Sequence, residues 1–427
     1  VVGWRIDDVV AKIRGDKGTV VRLDVQSVDV GADGPHKIVR IVRDKVKLEE
    51  QAASKKIITS GNKRIGVIEL QGFYLDFEAA RRGDPDVRSA TTDVRKLLEE
   101  LKRENVDGVV MDLRNNGRGS LIEAVELTGL FIEQGPVLQV RSTSGEIEVE
   151  KDTDSSIAWT GPLAVLVNRS SASASEIFAA AIQDYGRGLI IGEPTFGKGT
   201  VQTLVELDKL FKNEHYKDQQ FGELKMTIAQ FFRIDGGTTQ NAAVTPDVLF
   251  PVSMDASEYG ESTYDNALPY TKIPAAQYKK LGSFTAINPQ LESQHKERIS
   301  KNIEFNWWMQ DVNYYKAERD KKAISLNEQE RLTERNALMA QRVAREKERK
   351  VLGLASMGDD DNDDGLQANE RKISEQVADE KKAKERPDPL MNEAAYILAD
   401  AIMLLEEDKP LLSKVFPQAL SAEIWTQ

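Results

Sequence analysis

Four short apolar runs, at residues 65–70, 109–113, 163–167 and 189–191, recur along this chain with segments of helical periodicity between them, at 94–103, 121–131 and 173–183. Runs this short and this continuously apolar read as strands covered on both faces, not as half-exposed strands or helices. Strand and helix in alternation predict an α/β core with parallel pairing. Residues 225–232, the Gly236-Gly237 turn signal and residues 248–251 predict further strands that close the domain.

The 427 residues exceed what one ordinary hydrophobic core supports, so two or three domains are expected. Before the core, a helix around 6–14 and strands at 19–25 and 37–43 read as part of a small domain over 1–46, followed by a polar linker over 47–64. The core is expected over 65–256. From 257 to 427 the chain turns rich in Glu, Lys, Arg and Ala, which favours charged, mostly helical structure, with an acidic flexible linker near 356–370 and an inward-packing helix at 391–405.

A net charge of −12 argues against nucleic acid, which needs clustered cations. No run approaches the roughly 18–20 apolar residues of a membrane span, so at most peripheral membrane association is expected. The absence of cysteine excludes disulfides, thiolate nucleophiles and zinc–thiolate sites. Residues 1–6 carry neither a basic leader nor a starting Met, so any export signal is expected upstream.

Several motifs imitate chemistry. Residues 360–365 open like a calcium loop, but the twelfth position holds Arg371 where a carboxylate belongs. Residues 192–199 nearly spell a phosphate-binding loop, yet Gly199 replaces the hydroxyl and the following residues read as strand instead of helix. Two Ser-x-x-Lys tetrads, Ser60 to Lys63 and Ser293 to Lys296, lie in polar and charged surroundings and read as surface residues. His36, His215 and His295 likewise read as surface histidines, without the setting a catalytic triad requires.

One constellation stands apart. Ser173 follows the run 163–167 and precedes an apolar helix; with Glu176 it has capping-box spacing, and the same place offers unpaired N–H groups to a developing negative charge. A serine nucleophile needs a base, and with no suitable His or Cys the remaining candidate is a lysine whose pKa burial lowers. Lys198, between Gly197 and Gly199 and near Phe196 and Val201, fits. Such chemistry calls for no cofactor and no metal.

The words Asp112-Leu113-Arg114-Asn115-Asn116, Ser171-Ala172-Ser173-Ala174-Ser175-Glu176-Ile177, Gly192 through Gln202 and Val244-Thr245-Pro246-Asp247 stand in one order, with Ser173 and Lys198 twenty-five residues apart. In these words the chain resembles the carboxyl-terminal processing peptidases, in particular their bacterial tail-specific branch. Residues 1–46 resemble the end of that family's PDZ domain. The resemblance implies a crotonase-like α/β core, a serine endopeptidase, protein substrates chosen by apolar, unstructured C-termini, and a periplasmic location in a Gram-negative bacterium.

Carried onto these residues, it implies Ser173 as nucleophile, Lys198 as general base, Gln202 as the group orienting the lysine, and the N–H groups of Ala174 and Gly119 as the oxyanion site. Asp184 also matches a family position assigned to the relay, but it lies eleven residues along the helix, roughly 16 Å from Ser173, and reads as structural. The turn Asn116-Gly117-Arg118-Gly119-Ser120 departs from the family's consecutive glycines, and Arg118 is expected to alter it. The charged C-terminal helices are expected to shield the site or bind an adaptor. A catalytically silent binding or adaptor protein of the same fold is the alternative; the joint presence of Ser173 and Lys198 weighs against it.

Overall fold

The structure, a computed structural model, describes residues 4–26, 36–44, 52–83, 87–209, 221–357 and 386–417. The chain divides into two compact units, Val1–Ala52 and Ala53–Gln427. The first holds helix α1 (Ile6–Ile13) and the antiparallel strands β1 (Val20–Gln26) and β2 (His36–Val42), with Val20 opposite Val42. Trp4, Ile38 and Val42 stay more than half exposed, as one helix and one hairpin cannot bury them.

The second unit runs β3 (Ser54–Ser60), β4 (Lys63–Glu69), α2 (Phe77–Arg81), α3 (Ala90–Arg103), β5 (Gly108–Asp112), α4 (Leu121–Gly129), β6 (Gly135–Ser142), β7 (Ile147–Asp152), β8 (Leu163–Val167), α5 (Ala174–Tyr185), β9 (Leu189–Gly192), β10 (Thr200–Glu206), β11 (Glu223–Phe232) and β12 (Val248–Leu249). Then follow α6 (Asn288–Lys301), α7 (Ile303–Asp320), α8 (Glu328–Leu352), α9 (Pro389–Glu407) and α10 (Lys409–Val415). Six strands form one sheet in the order β12-β9-β8-β5-β4-β3, parallel except for the β3–β4 hairpin, and four form an antiparallel sheet in the order β10-β11-β6-β7. Residues 54–60, inside the stretch expected as a linker, are thus an edge strand. Ile57 and Ile58 sit among Lys, Ser and Thr, the composition an edge strand tolerates and a linker shares. Residues 47–51 lie outside the described ones.

The six-stranded sheet is covered on both faces, and strand alternation assigns each side chain to one of them. Val109, Met111, Leu163, Val165, Val167 and Ile190 join the core beneath α3, α4 and α5. Ile65, Val67, Val110, Ala164, Leu166, Leu189 and Ile191 join a second core, built on α9 with α6 and α10. Along α9, Met391, Ala394, Ala395, Leu398, Ala401, Ile402 and Leu405 recur at helical spacing. Gly108 lets it lie close: a Cβ there would stand 3.1 Å from both Leu398 and Ile402. The boundary expected at residue 256 marks a change in sequence character, but the second core crosses it.

Two polar groups expected at the surface are buried against this same helix. Lys63 sends its ammonium to Glu406, 2.7 Å away. His295, 2% exposed, stacks on Phe250 and shares a 2.8 Å hydrogen bond with Glu393, which Arg298 also holds. A polar sequence context hid both, because the partners lie about a hundred residues or more along the chain. Lys296 and Ser293 are exposed as expected, His36 is exposed beside Asp24, and His215 and residues 358–370 lie outside the described ones.

Removing apolar volume under α9 tests whether the sheet depends on it. Leu398→Ala should cost about 2–5 kcal/mol in urea unfolding, within the same transition that unfolds the sheet. A separate, earlier transition would show that α9 belongs to an independent domain.

Candidate active site

Strands β5 and β8 are neighbours with ends in register, so the loops after them leave the sheet side by side. Short bonds stitch these loops together. The Asn168 side chain accepts the Asn115 N–H at 3.0 Å and donates to Asn115 Oδ1 at 2.9 Å. Ser171 donates its hydroxyl to the carbonyl of Leu113 at 2.8 Å. The carbonyl of Asn116 accepts both the Ala172 N–H at 3.0 Å and the Ser175 hydroxyl at 2.7 Å. The turn at 115–119 and the turn at 168–175 are therefore one fixed assembly.

Ser173 stands where the second turn becomes α5, with φ 60° and ψ −112°. A residue with a Cβ in this region is strained by roughly 1–3 kcal/mol, and a sharp strand-to-helix turn of this kind exposes a serine hydroxyl above a sheet. The expected Ser173–Glu176 capping box is present, and its carboxylate half is the well-formed one. Glu176 accepts the Ser173 N–H at 2.9 Å. The Glu176 N–H, however, goes to the Ser173 carbonyl, and the hydroxyl makes no hydrogen bond at the helix end.

Glu176 does more than cap. It is completely buried, and its second turn of partners comes from the loop after β9: Thr195 donates its hydroxyl at 2.6 Å, Gly197 its N–H at 2.8 Å and Lys198 its N–H at 2.9 Å. One carboxylate thus holds the backbone of both Ser173 and Lys198. All four of its partners are donors, which only the ionised form can accept together. Burial pushes its pKa up to about 7, against the pull of those bonds.

The lysine loop is fixed on its other side by Gln240, whose amide oxygen accepts the Gly199 N–H at 2.8 Å and whose amide nitrogen donates to Glu261 at 3.1 Å. No side chain fits at Gly199, where a Cβ would meet Thr238 at 2.6 Å and Gln240 N at 2.8 Å. Half-buried Lys198 makes no ion pair among the described residues, and its pKa is lowered, first by burial and then by the nearby charge of Lys225, with Glu261 and Glu176 opposing. A lysine in this condition is deprotonated more readily than one in water.

Gly119 sits in the exposed part of the first turn with φ 151°, bridged in parallel to Phe73. A Cβ there would lie 2.3 Å from that of Phe73. The Gly119 and Ala174 N–H groups donate to no acceptor among the described residues. Phe73 N–H donates to the Arg118 carbonyl at 3.3 Å, and the Phe73 carbonyl accepts the Ser120 N–H at 2.8 Å. Arg118 is exposed, on a backbone that Phe73 pins on both sides.

Two expected residues are not gathered. Asp184, 7% exposed, lies at the far end of α5 from Ser173 and binds the Arg233 guanidinium through both oxygens, anchoring the helix to the strand before Arg233. Gln202 is on the exposed face of β10, opposite Thr227 and beside a register shift, and no hydrogen bond joins it to Lys198. Among the described residues no group of three or more His, Cys, Asp or Glu is placed to hold a metal, and no helix is long and apolar enough to cross a membrane.

Another link was invisible in the sequence. Arg114, at the root of the first turn, binds Asp112 through both oxygens and reaches Asp388 at 2.6 and 3.1 Å. Asp388 in turn caps α9 by accepting the Met391 N–H at 2.9 Å. The second layer of the fold is thereby tied to the loop that carries Gly119.

Residues 64–250 match peptidase family S41, and residues 254–403 match the C-terminal domain of tail specific protease. The chain is similar to the tail-specific protease of Haemophilus influenzae, 39% identical over 412 residues, 96% of this chain and 54% of that protein. It is also 32% identical over 298 residues to the carboxy-terminal processing protease CtpA of Bacillus subtilis, 67% of this chain and 56% of that one. Among solved structures, the photosystem II D1 C-terminal processing protease is 26% identical with a TM-score of 0.38, covering 55% of this chain and 56% of that one. The chain spans about half the length of the curated relatives it matches.

The Glu176 bridge is open to direct test. Glu176→Gln keeps one accepting oxygen but turns an NH2 group against two of the four donors, and the displacement of either turn should lower kcat about 100-fold while KM changes little. Unfolding of the variant at its parent's urea midpoint separates misplacement from collapse. Activity within threefold of the parent would show that the bridge does not position the site.

Proposed function

We propose that this chain, which belongs to peptidase family S41, hydrolyses peptide bonds with Ser173 as nucleophile and Lys198 as general base. The observation that carries the reading is the single buried carboxylate of Glu176, which accepts the N–H of both residues and so fixes their separation. A strained Ser173 with an unengaged hydroxyl, and a half-buried lysine with lowered pKa, supply what nucleophile and base each need.

In this mechanism the neutral Lys198 amine takes the Ser173 hydroxyl proton as Oγ attacks the scissile carbonyl carbon. The carbonyl oxygen becomes an oxyanion, which accepts the N–H groups of Ala174 and Gly119. As the intermediate collapses, the lysine ammonium gives its proton to the departing amine and the acyl group stays on Ser173. Water then attacks the ester, its proton passing to Lys198 and from there to Ser173 Oγ as the acyl–oxygen bond breaks, so that the new carboxyl terminus leaves and the neutral amine is restored.

In this reading Gln202 orients the lysine, although it is exposed on β10 and makes no hydrogen bond to Lys198. Asp184 acts through α5 and Arg233, as an anchor for the helix whose first turn carries Ala174. The substrates of this reading are proteins with apolar, unstructured C-termini, which the PDZ-like residues 1–46 would help to add as an extra strand. Its working place is the periplasm of a Gram-negative bacterium. The crotonase-like description of the core rests on the same resemblance.

Turnover of an unfolded protein such as reduced casein distinguishes this from a silent binding protein. Ser173→Ala and Lys198→Ala should each lose at least about 10³-fold in kcat, and Lys198→Arg should be as inactive, because a guanidinium does not deprotonate. Activity surviving in Ser173→Ala would overturn the assignment.

The pH profile follows from the two groups that must lose protons. Glu176 has to be ionised to keep four donors, and Lys198 has to be neutral to accept one proton. Activity should therefore rise with pH, first through about 7 as Glu176 ionises, and again on a higher limb below the ordinary lysine range. A profile that falls between pH 7 and 9 would contradict a lysine base.

A further inference from the structure

Helices α7 and α8, with residues 354–357 and the start of α9, line a cleft of about 710 Å³, within the ~300–1,000 Å³ range of ligand sites. Its apolar lining comes mostly from Trp307, Trp308, Tyr314 and Tyr315 on α7 and from Leu338 and Val343 on α8, with Leu354, Met357 and Pro389 beyond them. Tyr315 is 52% exposed and Val343 44% exposed, whereas Trp307 is buried beneath the Arg349 guanidinium, 5.1 Å from its ring centre. The lining extends from Glu304 to Tyr315 along one helix and from Leu338 to Lys350 along the other, troughs of roughly 16 and 18 Å at 1.5 Å per residue. That length suits about three turns of a helix laid in a groove better than a compact small molecule.

The charges around the cleft are unequal once their internal partners are counted. Asp311 is held by Arg345 at 2.8 Å through both oxygens, and Glu304 by Arg349 at 2.6 Å. Glu346 accepts the Met357 N–H at 2.9 Å and the Ser356 hydroxyl at 2.8 Å. Each lining carboxylate is thus engaged. Arg342, Lys347 and Lys350 line the same cleft with no carboxylate of the described residues within ion-pair distance. A chain of net charge −12 keeps three unmatched cations beside an aromatic floor.

We infer that the α7–α8 cleft is a docking groove for an amphipathic helix of another protein, apolar on one face and flanked by Asp or Glu. The apolar face fills the Trp–Tyr floor, where aromatic anchors supply most of the contact energy. The acidic flanks meet Arg342, Lys347 and Lys350, which set the orientation and the encounter rate more than the affinity. This inference stands independently of the Ser173–Lys198 mechanism.

The test uses the full chain carrying Ser173→Ala, so that no peptide is cut, and a fluorescein-labelled 16-residue peptide with Leu and Phe at i, i+3, i+4 and i+7 spacing and Glu elsewhere. Anisotropy should show saturable binding, weakened at least tenfold by Arg342→Glu combined with Lys347→Glu, at least fivefold by Tyr315→Ala, and strongly by salt. These residues are exposed, so far-UV circular dichroism of the variants should match the parent. The inference is overturned if no saturable binding occurs, if the charge-reversed variant binds as tightly, or if a peptide with Lys in place of Glu binds equally well. Replacing the five Asp of residues 359–364 by Asn tests this chain's own acidic stretch as the occupant: tenfold tighter peptide binding would overturn the external partner, and unchanged affinity supports it. Self-association abolished by Arg342→Glu in sedimentation would assign the groove to a second copy and likewise overturn it.

Discussion

The geometry of the site hangs on one buried carboxylate. Glu176 accepts the backbone N–H groups of Ser173 and Lys198, the proposed nucleophile and base, and two more donors from the loop between them. Because its pKa in the fold lies above that of a free carboxyl, the stability tied to its proton is complete below the ordinary carboxylate range and is lost as pH rises through about 7. The four donors demand the opposite, an anion. Stability and positioning therefore pull this group in opposite directions, and the fold sustains the anion by spreading its charge over four short hydrogen bonds in a dry place.

A strained serine and a lowered lysine make sense in that setting. Ser173 holds a backbone conformation unfavourable to any side chain, and it persists because the neighbouring Asn116 carbonyl, the Asn168 amide and Glu176 fix the residues on each side. Lys198 is likewise caught between Glu176 and Gln240 through the N–H groups of Gly197, Lys198 and Gly199. Neither side chain spends its own hydrogen-bonding capacity on the scaffold, which leaves both for a substrate.

The strands 109–113 and 163–167 were readable because a two-face-buried strand must be apolar throughout, and the helix after Ser173 because its period shows in the sequence. Glu176 was readable as a cap and no more: the Ser-x-x-Glu spacing reports a local bond to Ser173, while its bonds to Thr195, Gly197 and Lys198 depend on a loop some twenty residues on. Edge strand 54–60 was missed because polar alternation looks like a linker. Lys63, His295 and Arg114 were misjudged or overlooked for one reason, since Glu406, Glu393 and Asp388 come into contact only once α9 lies on the sheet. Gln240 carried no signal at all, being an ordinary residue in a turn whose partner N–H is defined by the tertiary fold alone.

The Arg114–Asp388 pair joins positions 274 residues apart in the chain. A ribosome delivers residues from the amino end at a finite pace, so the serine, the lysine and the glycine of the first turn are all synthesised well before Asp388 exists to hold Arg114. During that interval the sheet also lacks the helix that covers its second face. A chain emerging in this order accordingly passes through a period in which every residue of the proposed chemistry is present and the turn bearing Gly119 still lacks its Asp388 anchor.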